Sequence, residues 1–202
     1  MKIKICGLSI AKDVQLCIDL EVNFLGFVFY KKSPRNVNLN EISKLSKFNK
    51  KNSSFVAVTV DPTDEFIKEN LLGNFEYIQL HGSETAKRVS EIKSMGIKII
   101  KAIKVKEEKD INKYKEFNDV DIILFDTPGM EKSLEFPKDL ITKLPLGEKY
   151  ALAGSISKDN VENISKLGIN FFDLSSSLEN QLGYKDHLKI KKFMDKVNEL
   201  KN

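Results

Sequence analysis

Short runs of apolar and β-branched residues alternate along the chain with longer stretches whose apolar positions recur every three or four residues. The short runs predict strands near residues 2–6, 24–30, 55–60, 77–80, 97–103, 121–126, 149–153 and 171–175. The longer stretches predict helices near 10–22, 39–48, 62–72, 84–95, 107–117, 137–143, 158–167 and 186–200. Val14, Cys17 and Leu20 mark one helical stripe; Ile92 and Met95 mark another. Asp61, Ser83 and Ser157 stand where helix N-caps are expected. Strand followed by helix, repeated, implies parallel pairing through crossover helices. Eight such units in 202 residues predict an α/β fold of the (β/α)8 barrel type. No low-complexity linker divides them, so one domain over residues 1–202 is expected. The competing architecture is an open doubly wound sheet. It usually carries GxGxxG after its first strand, and Cys6-Gly7-Leu8-Ser9 does not match.

Composition narrows the functional classes. No apolar run is long enough to span a bilayer, and Met1 through Gly7 reads as a strand instead of a secretory signal, so a cytoplasmic protein without a membrane partner is expected. The net charge is +4, with lysines interleaved among Asp and Glu; this describes solvated helix faces, not a nucleic-acid footprint. Cys6 and Cys17 form no CxxC pair or Cys/His cluster, which argues against a zinc site or a structural disulfide. Cys17, on a helical stripe, reads as a packing residue. Of 33 basic residues only Arg35 and Arg88 are arginine, so each points to a need for the planar fork that lysine lacks.

In a barrel of this kind the active site forms at the C-terminal strand ends. The polar residues there are Cys6, Arg35 in the loop beyond the second strand, His81, Lys101, Asp126, Gly154-Ser155, and Asp173 through Ser177. Asp126 closes a strongly apolar strand. It is either a turn former before Thr127-Pro128-Gly129 or a general acid whose partial burial helps it hold a proton. Cys6 is either a small apolar filler or, with Gly7 leaving room beside it, an activated thiolate that takes a proton from carbon. Arg35 follows Ser33-Pro34 and is placed to grip a carboxylate bidentately. Gly154, Ser155, Ser176 and Ser177 offer backbone donors where barrels bind phosphate. His81 reads equally as a structural or a site-lining histidine, and His187 as a surface one.

Taken together, Lys4-Ile5-Cys6-Gly7, Gly26-Phe27-Val28-Phe29 with Ser33-Pro34-Arg35, Gln79-Leu80-His81-Gly82, Phe125-Asp126, Leu152-Ala153-Gly154, and Asp173-Leu174-Ser175-Ser176 with Glu179 and Gly183-Tyr184-Lys185-Asp186 resemble the phosphoribosylanthranilate isomerases of tryptophan biosynthesis. The resemblance implies a (β/α)8 barrel that performs an Amadori rearrangement of N-(5′-phosphoribosyl)anthranilate without a metal or organic cofactor. It implies Cys6 as general base and Asp126 as general acid. Arg35, His81 and Asp173 become substrate-binding residues, Arg35 on the anthranilate carboxylate. Gly154, Ser155, Ser176 and Ser177 become the phosphate cradle. A small-molecule substrate and a monomer or homodimer follow. The chain departs from the family pattern at Ser155 and Ser177, where glycine is usual, and at Thr127 through Phe136, a loop usually rich in glycine that here has Gly129 alone. That loop is expected to gate the site while strands seven and eight hold the phosphate. Two alternatives remain: another phosphoribosyl isomerase of the same fold, against which Cys6 in place of an acidic residue argues, and a non-catalytic phosphosugar-binding barrel.

Overall fold

A computed structural model describes residues 1–45, 47–129 and 135–201. Its strands are β1 (Lys2–Cys6), β2 (Phe24–Phe29), β3 (Ser54–Thr59), β4 (Tyr77–Leu80), β5 (Lys98–Lys104), β6 (Ile122–Asp126), β7 (Tyr150–Leu152) and β8 (Phe171–Leu174). They pair in chain order and close into the expected barrel. The seam is parallel, with Lys4 opposite Asp173 and Ile5 opposite Leu174.

Strand alternation sorts the buried residues into two cores. Ile3, Ile5, Leu25, Phe27, Ile78, Leu80, Ile123 and Phe125 face the helices. Cys6, Phe24, Val28, Val56, Ile100, Leu124, Ala151 and Phe171 fill the barrel interior. Phe24 stacks on Phe171 at 5.1 Å and meets Tyr77 edge-on at 5.3 Å, and these rings plug the N-terminal end. Small side chains then follow toward the C-terminal end: Ala102, Ala153 and Gly26 leave room there. Cys17 is buried in the outer core, as its stripe implies.

The helices are α1 (Ala11–Asp19), α2 (Ile42–Leu45), α3 (Asp64–Phe66), α4 (Ala86–Lys93), α5 (Glu108–Ile111), α6 (Lys138–Ile141), α7 (Val161–Ser165) and α8 (His187–Glu199). Several are shorter than their apolar period predicts. The chain is helical on either side of them but wound differently: α3 runs into a π-turn over Ile67–Leu71, and α5 into a 3-10 turn over Asn112–Glu116. The expected caps are displaced by two or three residues. Thr63 and Thr85 accept from the backbone N–H groups of Phe66 and Arg88, and so cap α3 and α4. Asp61 instead accepts from Ser83 N at 2.8 Å, tying the loop after β3 to the loop after β4. Ser157 accepts from Asp159 N in the turn that leads to Asn160, the residue that precedes α7. In α3 and α4 the side chain that caps is the one nearest the first unsatisfied N–H groups, whereas Asn160 makes no side-chain cap on α7.

After β8 the chain makes a 3-10 turn (Ser176–Leu178) and then a small antiparallel hairpin of β9 (Glu179–Gln181) and β10 (Tyr184–Lys185). Strands of three and two residues leave no alternation to read. Gly183, at φ +83°, makes the turn possible, and a Cβ there would press on the Pro34 carbonyl at 2.8 Å. The hairpin therefore packs directly on the turn that presents Arg35.

Candidate active site

A cavity of about 450 Å3 opens at the C-terminal strand ends. Cys6, Arg35, His81, Asp126, Gly154, Ser155, Asp173, Ser176 and Ser177 all line it. Lys101 does not: it faces the outer layer, where its ammonium bonds Glu84 at 2.7 Å and the Gly82 carbonyl at 3.1 Å.

Cys6 ends β1, and Lys4 lies two residues earlier on the same face. Lys4 Nζ donates to Asp173 Oδ2 at 2.7 Å across the seam, with both side chains almost wholly buried. A Cβ on Gly26 would lie 3.1 Å from Cys6 Sγ and 3.2 Å from Lys4 Nζ, so glycine makes the space they occupy. Burial pushes the Cys6 thiol up; the Lys4 ammonium pulls against this and the Asp173 carboxylate adds to it. Of the two sequence readings of Cys6, apolar filler or activated thiolate, neither is decided by this environment; in the free protein desolvation outweighs the lysine and favours the neutral thiol. Burial also pushes Asp173 up, opposed by Lys4. Lys4 itself is held above its usual range: desolvation works against its charge, but Asp173 and Cys6 prevail.

Asp126 ends β6, partly buried. Its Oδ1 accepts from Thr127 N at 2.8 Å, and its Oδ2 lies 3.3 Å from His81 Nε2. Gln79 Nε2 stands 3.3 Å from the other ring nitrogen of His81. Gln79, His81 and Asp126 thus form a row from the barrel interior to the rim.

Arg35 is buried against Gly7, whose φ of +79° and missing Cβ admit the arginine stem; a Cβ there would come within 2.5 Å of Arg35 Cδ. The guanidinium meets a carboxylate of the protein itself. Nε and Nη2 donate to Glu179 Oε1 and Oε2 at 2.7 and 2.8 Å. Lys185 Nζ also donates to Glu179 Oε1, at 2.9 Å, and Gly183 N to Oε2, at 3.2 Å. Burial pushes the Glu179 carboxyl up, yet Arg35 and Lys185 outweigh it and hold it below the usual range. Burial drives the Lys185 ammonium below its usual range despite Glu179.

Gly154 and Ser155 follow β7 with φ of +109° and +50°. Ser176 and Ser177 open the 3-10 turn after β8. Ser175 Oγ donates to the Cys6 carbonyl at 3.2 Å, which ties this turn to the end of β1. Thr127, Pro128 and Gly129 line the cavity, and Phe136 is buried. Residues 130–134 of the expected gating loop, among them Glu131, Lys132 and Ser133, lie outside the described residues. Among the described residues no cluster of three or more His, Cys, Asp or Glu side chains is arranged to hold a metal ion, and no helix is long and apolar enough to cross a membrane. His187 is half exposed and bonds Asp13 at 2.7 Å, far from this chemistry in the outer layer.

The family model for N-(5′-phosphoribosyl)anthranilate isomerase matches residues 3–196. The chain belongs to that family. An N-(5′-phosphoribosyl)anthranilate isomerase of Petrotoga mobilis is 35% identical over 208 aligned positions, covering 100% of this chain and 99% of the relative. The phosphoribosylanthranilate isomerase structure from Thermotoga maritima superposes with a TM-score of 0.87 at 25% identity, covering 98% of this chain and 99% of that one. A phosphoribosylanthranilate isomerase in complex with reduced 1-(o-carboxyphenylamino)-1-deoxyribulose 5-phosphate superposes with a TM-score of 0.83, at 25% identity and the same coverage.

Within this isomerase fold, four lining or supporting residues escaped the strand-end survey: Lys4, Gln79, Glu179 and Lys185. Two carried a signal. Lys4 is a charged residue at an inward position of an apolar strand, and Gln79 shares the parity of His81. Glu179 and Lys185 gave no alternation signal, because their strands are too short to show a pattern; they stood out only among the residues that carry the family resemblance.

Proposed function

We propose that the chain isomerises N-(5′-phosphoribosyl)anthranilate, an aldose derivative, to 1-(2-carboxyphenylamino)-1-deoxyribulose 5-phosphate. The observation that carries the assignment of roles is that Cys6 and Asp126 enter one cavity from β1 and β6, with the Gly154-Ser155 and Ser176-Ser177 turns on the rim between them. An Amadori rearrangement needs an acid and a base on different sides of one sugar.

Asp126 delivers its proton to the ring oxygen, the C1′–O bond breaks, and the anthranilate nitrogen supplies the electron pair that forms an iminium. Cys6 then removes the C2′ proton, and those electrons form the enolamine, which tautomerises to the ketone. Acid before base suits the geometry. Burial favours the neutral thiol, whereas the cationic iminium, together with Lys4, favours the thiolate, whose own proton passes to solvent at the cavity mouth before C2′ is deprotonated. The phosphate rests on the backbone of the two turns, where Gly154 and Ser155, both at positive φ, line the cavity. The carboxylate of the anthranilate shares the Arg35 guanidinium with Glu179. The substrate is a small phosphosugar, and the site lies within one chain.

The test is turnover of phosphoribosylanthranilate, followed by loss of its anthranilate fluorescence. Steady turnover supports the assignment. Tight phosphosugar binding with no turnover overturns it in favour of a non-catalytic binding barrel.

A further inference from the structure

Two acceptor atoms on residues that line the cavity have no donor among the described residues. Gln79 Oε1 and Asp173 Oδ1 are buried side-chain oxygens without a hydrogen-bond partner among the described residues. The side chains are not loose. Gln79 is 1% exposed and its amide nitrogen is held by His81; Asp173 is 7% exposed and its other oxygen is held by Lys4. Each orphaned oxygen is therefore aimed by the bond on the opposite side of its own group. Folded proteins rarely leave such atoms unsatisfied, and the penalty for doing so is the full desolvation of the acceptor.

We propose that Gln79 Oε1 and Asp173 Oδ1 accept hydrogen bonds from two hydroxyls of the bound sugar, which makes Gln79 a specificity-determining residue. The inference rests on the phosphosugar substrate proposed above. The partner has to be a donor, which excludes the phosphate and carboxylate of the substrate; a carboxylate would also face the Asp173 charge. A cation is disfavoured because the Lys4 ammonium already sits against Asp173. A neutral hydroxyl fits both atoms. Gln79 lies on β4 and Asp173 on β8, half-way round the barrel from each other. A sugar chain lying between Cys6 and Asp126 has hydroxyls on successive carbons and can address both walls at once. The acceptors sit one inward layer below His81 and at the level of Lys4, so they touch the sugar from beneath and leave the reacting carbons to the rim.

The experiment is a binding matrix by calorimetry. The ligands are reduced 1-(o-carboxyphenylamino)-1-deoxyribulose 5-phosphate and versions of it that each lack one chain hydroxyl. The proteins are the wild type, Gln79→Met and Gln79→Glu. In the wild type, loss of either of two hydroxyls should weaken binding by roughly 10- to 100-fold, because a buried acceptor is stranded each time. Gln79→Met should erase one of those penalties and leave the other, which belongs to Asp173. Gln79→Glu keeps an acceptor in place and should keep both. The readout is the ratio between ligands, which a general loosening of the site would leave unmoved. If the wild type binds every deoxy version within about twofold of the parent, or if Gln79→Met keeps both penalties, the inference is overturned alone. If the wild type fails to bind the parent compound, the isomerase assignment falls first and takes this inference with it.

Discussion

Replacing Glu179 by Gln tests the hairpin that follows β8. Glu179 holds two cations, Arg35 and Lys185, with three charge-assisted bonds of 2.7, 2.8 and 2.9 Å in a nearly dry setting. Glutamine keeps the shape but offers one oxygen and no charge. Removing one partner of a buried pair typically costs about 3–5 kcal/mol. Lys185 can relieve part of this by releasing its proton, since burial already lowers its hold on it. Arg35 has no such escape. The expected loss is therefore at the low end, about 3 kcal/mol. For a chain of this size each kcal/mol moves the melting temperature by roughly 2–4 °C, which gives a fall of about 6–12 °C. The pH dependence is fixed in sign. Because folding holds the Glu179 carboxyl below its ordinary value of 4.5, its contribution is present above that value and is lost as pH falls through the folded one. Calorimetric scans of both proteins should show the full gap at pH 7 and a narrowing gap below pH 4.5. The KM for the anthranilate substrate should rise as well, since Arg35 loses its tether. A gap under about 1 °C at neutral pH, or one that persists unchanged into acid, would refute the argument.

Other perturbations separate chemistry from architecture. Cys6→Ser should keep its melting temperature and lose turnover by about 10²–10⁴-fold, because an alcohol is a far weaker base than a thiolate; near-normal turnover removes Cys6 from the reaction. Asp126→Asn retains the bond from Thr127 N and loses the transferable proton; turnover per folded molecule should collapse, whereas a variant that only melts earlier would make Asp126 a turn former. Lys4→Met takes away the cation that opposes the upward push on Cys6, so the rising limb of the kcat/KM profile should move to higher pH; a profile that stays in place shows that Lys4 does not act on the thiol.

The barrel was legible in the chain because its strands carry a local signature. The runs 2–6, 77–80 and 121–126 are apolar, short and bounded by turn residues, and each reappears within one or two residues of its predicted limits. Residues at strand ends were legible for the same reason: once the strands are set, Cys6, His81 and Asp126 must point at one mouth. What the chain hides is pairing across long sequence gaps. Lys4 and Asp173 are 169 positions apart, and Arg35 and Glu179 are 144 apart. Nothing local distinguishes Glu179 from a surface glutamate. Arg35 illustrates the consequence: its scarcity correctly marked a need for a planar fork, but the carboxylate that fills most of that fork belongs to the protein. Helix ends were misjudged because the Asp61 side chain accepts from the Ser83 backbone N–H in the neighbouring loop instead of capping its own helix, and Thr63 and Thr85 lie closer to the N–H groups that need them.

The Lys4–Asp173 pair also bears on how the chain is made. β1 leaves the ribosome first and β8 near the end, so for most of synthesis Lys4 has no counter-charge and cannot be buried without a heavy desolvation cost. Burying its strand against a wrong neighbour before the last βα unit emerges would leave that charge unpaired. Contacts of such high sequence separation make folding slow and closure late. They also make closure cooperative: the same event that completes the sheet brings Asp173 and the Ser176-Ser177 turn up to Cys6. A nascent chain short of β8 would hold Cys6 and Asp126 but no paired Lys4 and no complete cradle, so the site is complete only once the final strand is in place.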